Sequence, residues 1–178
     1  MRKYIYLVVG PSGSGKTTVT NELCNRYGYS AVNSFTTRPR RFSGEKGHIF
    51  VTQQEFDKLR PKLCAYTKFD GNEYGATPKQ VNKSDFYVID EAGIEYFKKH
   101  YRENKIPVVI YIDANPIELE ARMTARGDSP MQVTARKKFD AQRVKTDFDF
   151  GLPVFYIINN NINETVNAIK NFISLREG

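Results

Sequence analysis

Apolar residues along the chain gather into four short continuous runs separated by helical stripes. "YIYLVV" (4–9), "FYVID" (86–90), "VVIYID" (108–113) and "VFYIIN" (154–159) are rich in β-branched and aromatic residues. Runs of that length and composition predict strands buried on both faces. After the first run, Val19 and Leu23 fall at helical spacing from Lys16, and Gly28 is the natural stop. After the third, Asn115 is placed to cap a helix, Pro116 suits its first turn, Glu118 completes a capping box and Gly127 ends it. After the last, Ile162, Val166, Ile169 and Ile173 form one face of a terminal helix. Strands alternating with helices imply an α/β fold, a three-layer sandwich with a parallel sheet at its centre.

Two segments break this rhythm. Residues 34 to about 80 are polar, aromatic and turn-rich, with helical periodicity only in "TQQEFDKL". They read as a small inserted subdomain of short strands. The segment "RGDSPMQVTARKK" (126–138) carries Gly and Pro between two helical patterns and reads as a mobile lid. The expected organisation is one domain over 1–178, with a core of 1–33 and 85–178, the inserted subdomain at 34–84 and the lid at about 126–138.

Composition narrows the function. The chain has 178 residues, 40% hydrophobic and 26% charged, which suits a single globular domain with a real core. The formal charge is +7. Its basic knots, "RPRR", "KKHYR" and "RKK", are not interleaved with aromatics as a single-strand nucleic-acid platform would be. A small, phosphate-rich ligand is the expected partner, rather than nucleic acid or a membrane. Cys24 and Cys64 have no paired spacing and no histidines nearby, so reduced thiols are expected and a zinc site is not. The apolar start "MRKYIYLVVG" is too short for a signal or a membrane span, so the expected location is cytoplasmic.

The segment "VVGPSGSGKTTVTNEL" (8–23) contains Gly10-x-x-x-x-Gly15-Lys16-Thr17, the spacing of a P-loop. Glycines at 10, 13 and 15 let backbone N–H groups, with Ser12, Ser14 and Thr18 alongside, curl around phosphate oxygens. The following helix N-terminus adds donors and a favourable dipole. In such a loop Lys16 neutralises the β and γ phosphates, and the Thr17 hydroxyl ligates Mg²⁺. This pattern predicts a P-loop NTPase core and an ATP site. "NKSD" (82–85) has the letters of a guanine-reading GTPase segment, but it follows no buried strand and comes early, so it reads as coincidence. A chain of this size with an inserted subdomain and an arginine-bearing lid suits a small-substrate phosphotransferase, which must exclude water.

"SFTTRPRRFSGEKGHIFVTQQEF" (34–56), "GNEYG" (71–75) and "VIDEAG" (88–93) resemble the guanylate kinase family, in the same order along nearly the whole chain. The resemblance implies ATP-dependent phosphorylation of GMP or dGMP. It implies that Ser34, Arg38, Arg41 and Tyr74 hold the GMP phosphate, with His48 standing where the family has a first tyrosine. It assigns Asp90 to the guanine amino group; by its place after an apolar strand, Asp90 also fits a magnesium-coordinating role. Asp113 closes a similar strand. Arg126 and Arg136 match the arginines that clamp the transferring phosphoryl group, alongside Lys16 as catalytic residues. Asn159 matches the asparagine beside adenine. Arg122, by contrast, has Glu118 four residues earlier and reads as an ordinary helix pair.

The chain departs from the family where the base is read. Ala65 stands in place of the guanine-reading glutamate, and Val88 in place of an acid two residues before Asp90. Donors left unmatched in a buried pocket cost about 1–3 kcal/mol each. Glu73, beside Tyr74, is the nearest substitute carboxylate. Three readings follow: a GMP kinase, a kinase of another nucleotide or a sugar phosphate, and a non-catalytic binding module of the same fold. Intact Lys16 and Thr17 argue against the third.

Overall fold

A computed structural model describes residues 2–125, 127–143 and 150–178. Its central sheet is made from β1 (Tyr4–Val9), β6 (Phe86–Val88), β7 (Ile106–Asp113) and β8 (Val154–Ile158). The strand order is β6-β1-β7-β8 and every pairing is parallel. These are the four apolar runs, and β1 shows why they are continuous. Ile5, Leu7 and Val9 enter the core on one face of the sheet, while Tyr6 and Val8 enter the core on the other. A strand covered on both sides has no position where a polar side chain reaches water.

The long helices are α1 (Lys16–Tyr27), α4 (Glu91–His100), α5 (Pro116–Ala125), α6 (Pro130–Arg143) and α7 (Ile162–Glu177). Helix α4 packs on one face of the sheet, and α1 and α7 on the other. In α7, Val166, Ile169 and Ile173 are buried with Val19 and Leu23 of α1, as their spacing predicts, whereas Ile162 stays 40% exposed. None of the described helices is long and apolar enough to cross a membrane.

A second sheet lies within the segment that broke the rhythm. It comprises β2 (Ser34–Thr36), β3 (His48–Phe50), β4 (Ala65–Phe69) and β5 (Asn72–Ala76), in the order β3-β2-β5-β4. β2 and β3 run parallel, and the β4–β5 hairpin is antiparallel. The short helices α2 (Gln53–Leu59) and α3 (Pro78–Asn82) flank it.

The structure changes one local expectation and adds detail to others. Asn115 does cap α5, its Oδ1 accepting from the Ile117 N–H at 3.0 Å. Glu118 joins no capping box there; its carboxylate is taken by Arg122 at 2.5 Å. Much of the segment read as a mobile lid is helical, because α6 begins at Pro130. Ser129 and Gln132 cap it reciprocally: Ser129 N–H donates to Gln132 Oε1 at 2.9 Å, and Gln132 N–H to Ser129 Oγ at 3.3 Å. Proline in a first turn behind a capping serine starts a helix rather than breaking one. "NKSD" is structural: Asn82 accepts from the Tyr101 hydroxyl at 2.6 Å, and Asp85 binds Arg2 and the Ser30 hydroxyl, each at 2.9 Å.

Candidate active site

The loop between β1 and α1 turns sharply enough to require glycine. Gly10 has φ 144°, and a Cβ there would run into the carbonyl oxygen of Ile112. Gly15 has φ 92° and would press a Cβ onto the Asn159 amide. The loop is therefore held by its neighbours as well as by its own torsions. Lys16 Nζ donates to the carbonyls of Gly10 at 2.6 Å and Pro11 at 2.7 Å, so the ammonium lies across the loop. Thr17 and Thr18 are exposed on the first turn of α1. The Ser14 hydroxyl is fully buried and has no hydrogen-bond partner among the described residues.

An anion already meets this loop. The Ser12 N–H donates to Asp140 Oδ2 of α6 at 2.9 Å. A carboxylate from the lid helix thus lies against a donor of the kind that P-loops offer to phosphate.

Asn159 is just past the end of β8 and only 1% exposed. Its Nδ2 donates to the Ser14 carbonyl at 2.8 Å, and its Oδ1 accepts from the Thr165 hydroxyl at 3.1 Å. The side chain expected beside adenine thus braces the P-loop. Arg122 does more than pair with Glu118, since it also donates to the Asn159 carbonyl at 3.1 Å. No sequence spacing revealed either contact.

The second sheet gathers the residues assigned to the acceptor phosphate. Ser34 and His48 are directly paired on β2 and β3, and Ser34 Oγ lies 2.9 Å from His48 Nδ1. Tyr74 pairs with Thr36, and its ring centre is 5.8 Å from the His48 imidazole. Burial first, and then the nearby Arg38, push the His48 imidazole below its ordinary value, against an opposing pull from Glu45. Arg38 is held by Glu45 at 2.6 Å and lies over the Phe50 ring at 5.4 Å. The same Glu45 carboxylate accepts from the Arg41 N–H at 2.7 Å. Glu45 therefore shapes the arginine loop, a role the "GE" letters of the motif carried without announcing it.

Asp90 sits at the start of α4, where its Oδ1 accepts from the Gly93 N–H at 2.7 Å. Its Oδ2 accepts from the Thr67 hydroxyl of β4 at 2.8 Å. Asp113 is used differently, accepting from the Tyr156 hydroxyl at 2.7 Å and from the Ala114 N–H at 2.8 Å. Arg136 lies over the Phe69 ring at 5.3 Å and pairs with Asp128 at 3.3 Å, so α6 reaches across to the β4–β5 hairpin. Arg126 lies outside the described residues.

Glu73 does not replace the missing glutamate. In the hairpin register it opposes Lys68, on the sheet face opposite Tyr74. There its carboxylate, 5% exposed, accepts from Arg60 at 2.7 Å, Gln53 at 2.6 Å and Tyr66 at 2.6 Å.

The family model for guanylate kinase matches residues 1–176. The chain belongs to the guanylate kinase family. It is a nucleoside monophosphate kinase, a phosphotransferase that uses ATP. The guanylate kinase of Fusobacterium nucleatum is 28% identical over 180 residues, covering 95% of each chain. That of Anaplasma phagocytophilum is 30% identical over 182 residues, covering 95% of this chain and 85% of the relative. The crystal structure of guanylate kinase from Anaplasma phagocytophilum aligns over 99% of this chain and 87% of its own, with a TM-score of 0.67 and 22% identity. That likeness shows the fold, a P-loop core carrying a small second sheet.

One prediction concerns the Glu73 cluster. Hydrogen bonds from Arg60 first, then from Gln53 and Tyr66, bring its carboxyl from 4.5 down to about 2 against the effect of burial. A depressed carboxylate stabilises the fold above its unfolded pKa and loses that contribution as pH falls towards the folded one. Denaturation midpoints should therefore drop between about pH 4.5 and pH 2. The drop should be smaller in Glu73→Gln; equal slopes in both proteins would remove Glu73 from the account.

Proposed function

We propose that the P-loop and the second sheet together transfer the γ-phosphoryl group of ATP to GMP through the residues below. The reading rests on one convergence above all. Ser34, His48 and Tyr74, far apart in sequence, meet on one sheet with Arg38 alongside. Two arginines, a hydroxyl, an imidazole and a phenol suit a phosphate dianion, because guanidinium forks make charge-assisted bonds to its oxygens.

ATP would bind at Gly10, Ser12, Gly13, Ser14, Gly15, Lys16, Thr17 and Thr18. Phosphate oxygens are stronger acceptors than the two carbonyls that now hold Lys16, and they also suit the orphaned Ser14 hydroxyl. Magnesium fits the residues present. Among those described no group of three acidic, histidine or cysteine side chains gathers to hold a metal, so an ion would rely on Thr17 and the nucleotide's phosphates. When bound, it supplies charge neutralisation at the transferring group.

In the reaction, an oxygen of the GMP phosphate forms a bond to the γ-phosphorus, and the bond to the β–γ bridging oxygen breaks. GDP and ADP result. The attacking oxygen is already ionised, so no general base is needed and the protein supplies position and charge. Ser34, Arg38, Arg41, His48 and Tyr74 fix the attacking phosphate, and Asp90 meets the base. Arg136, and Arg126 by its match to the family motif, would act on the equatorial oxygens, where charge accumulates.

Lys16→Ala should lower kcat by about a hundredfold or more while leaving the thermal unfolding curve in place. Turnover with GMP that survives the change would argue against the P-loop assignment. His48 gives the site a pH dependence that a tyrosine lacks. A bound phosphate draws the depressed imidazole back towards its charged form. The KM for GMP in wild type should therefore improve relative to His48→Tyr by up to about tenfold as pH falls from about 7.5 to about 5.5. A ratio independent of pH would place the ring outside the phosphate contact. Asp140 competes with ATP for the Ser12 N–H. Asp140→Asn should lower the KM for ATP about three- to tenfold with kcat unchanged; a fall in kcat alone would instead assign Asp140 to the transferring group.

A further inference from the structure

The pocket must recognise its base without the carboxylate that Ala65 displaces, and the hairpin register shows what lies nearby. Ala65 opposes Ala76, and Thr67 opposes Tyr74. Directly opposed residues share a face of an antiparallel pair, so all four line the same face, away from Glu73 and Tyr66. Both alanines are 0% exposed and packed into the core with Ile89 and Ile94, so that end of the face is closed and apolar. The polar groups that the hairpin puts on this face are Thr67, half-buried, the Tyr74 hydroxyl, which lies on the His48 side, and Asn72 at the turn, whose amide donates to the Asp70 carbonyl at 2.8 Å. Thr36, Ser34 and His48 continue the face on the Tyr74 side, which leaves Thr67 as the hydroxyl next to the closed apolar end. Thr67 also touches Asp90.

We infer that Thr67 is a specificity-determining residue, its hydroxyl oxygen accepting a hydrogen bond from guanine N1–H while Asp90 takes the 2-amino group. This rests on the reading of GMP as acceptor.

The chemistry follows from the Thr67–Asp90 bond. A hydroxyl has one proton and two lone pairs, and a carboxylate oxygen only accepts. At 2.8 Å the Thr67 proton is therefore committed to Asp90 Oδ2. With its donor used, Thr67 presents lone pairs alone. Guanine offers N1–H and N2–H₂ side by side, two donors meeting two acceptors. Adenine turns a lone pair at N1 towards the same oxygen, which leaves two acceptors facing each other. A buried group that must hydrogen-bond a substrate N–H discriminates strongly against a base lacking it. Asp90 is itself braced by the Gly93 N–H at 2.7 Å, so the pair is held before the substrate arrives.

The test is steady-state kinetics of the full chain with GMP and AMP, and inhibition of GMP turnover by IMP, which keeps N1–H and lacks the 2-amino group. Thr67→Val should raise the GMP KM and the IMP inhibition constant by a similar factor, on the order of tenfold, with kcat changed less. Thr67→Ser should retain both values, and Asp90→Asn should weaken GMP more than IMP. Thr67→Ala removes the same hydroxyl without filling its space and is read in the same way, should the valine variant fold poorly. An unchanged GMP KM in a folded Val or Ala variant would overturn the inference. So would a loss confined to GMP, because Thr67 would then act only by positioning Asp90. Absence of GMP-stimulated ADP release in wild type would instead overturn the GMP reading itself, a separate result.

Discussion

The bond from the Asn159 amide to the Ser14 carbonyl joins the end of β8 to the loop after β1. The ATP end of the molecule is organised around it. A phosphate-binding loop must point several backbone N–H groups inward, a conformation that a free glycine-rich segment has little reason to keep. Here Asn159 grips the loop from one side and the Ile112 carbonyl crowds Gly10 from another. Thr165 and the Asp113 carbonyl fix Asn159 in turn, the latter accepting from its N–H at 2.8 Å. The loop's shape is thus imposed by β7, β8 and α7, elements more than a hundred residues further on. Rigid, preorganised donors are what a charge-transfer reaction asks of its enzyme.

The acceptor side follows a different logic. Its groups stand on short strands, and strand register rather than loop shape brings them together. One pairing sets Ser34 beside His48, another sets Tyr74 next to Thr36, and Glu45 pins the arginine loop above them. The opposite face of the same hairpin carries the Glu73–Arg60 cluster, which ties α2 and the adjoining turn to β4 and β5. The two faces of one sheet therefore carry different sets of residues, Ser34, His48 and Tyr74 on one and the Glu73 cluster on the other, and the period of two decides which residue joins which. Helix α6 links the two halves, with Asp140 against the P-loop and Arg136 over Phe69 of the hairpin. One helix thus contacts both the P-loop and the hairpin.

Much of this was legible in the sequence, for identifiable reasons. The four strands of the central sheet were plain because burial on both faces forces unbroken apolar runs. The P-loop was plain because its chemistry demands particular residues at fixed local spacing. The start of helix α6 at Pro130 went unread within the segment assigned as a lid, although Ser129 and Gln132 around that proline spell a helix start. Glu73 was misjudged through adjacency. Neighbours along a strand point to opposite faces, so standing beside Tyr74 put it on the wrong side.

The sequence by itself determined the fold class and the phosphotransferase chemistry, because each rests on local pattern. Tertiary structure decided the partners: Asn159 as a brace for the P-loop, Asp140 as the anion at Ser12, Thr67 as the companion of Asp90. Each of these contacts spans 23 to 145 residues of chain. A hydrogen bond forms wherever folding brings donor and acceptor within about 3 Å, and no local spacing encodes that meeting.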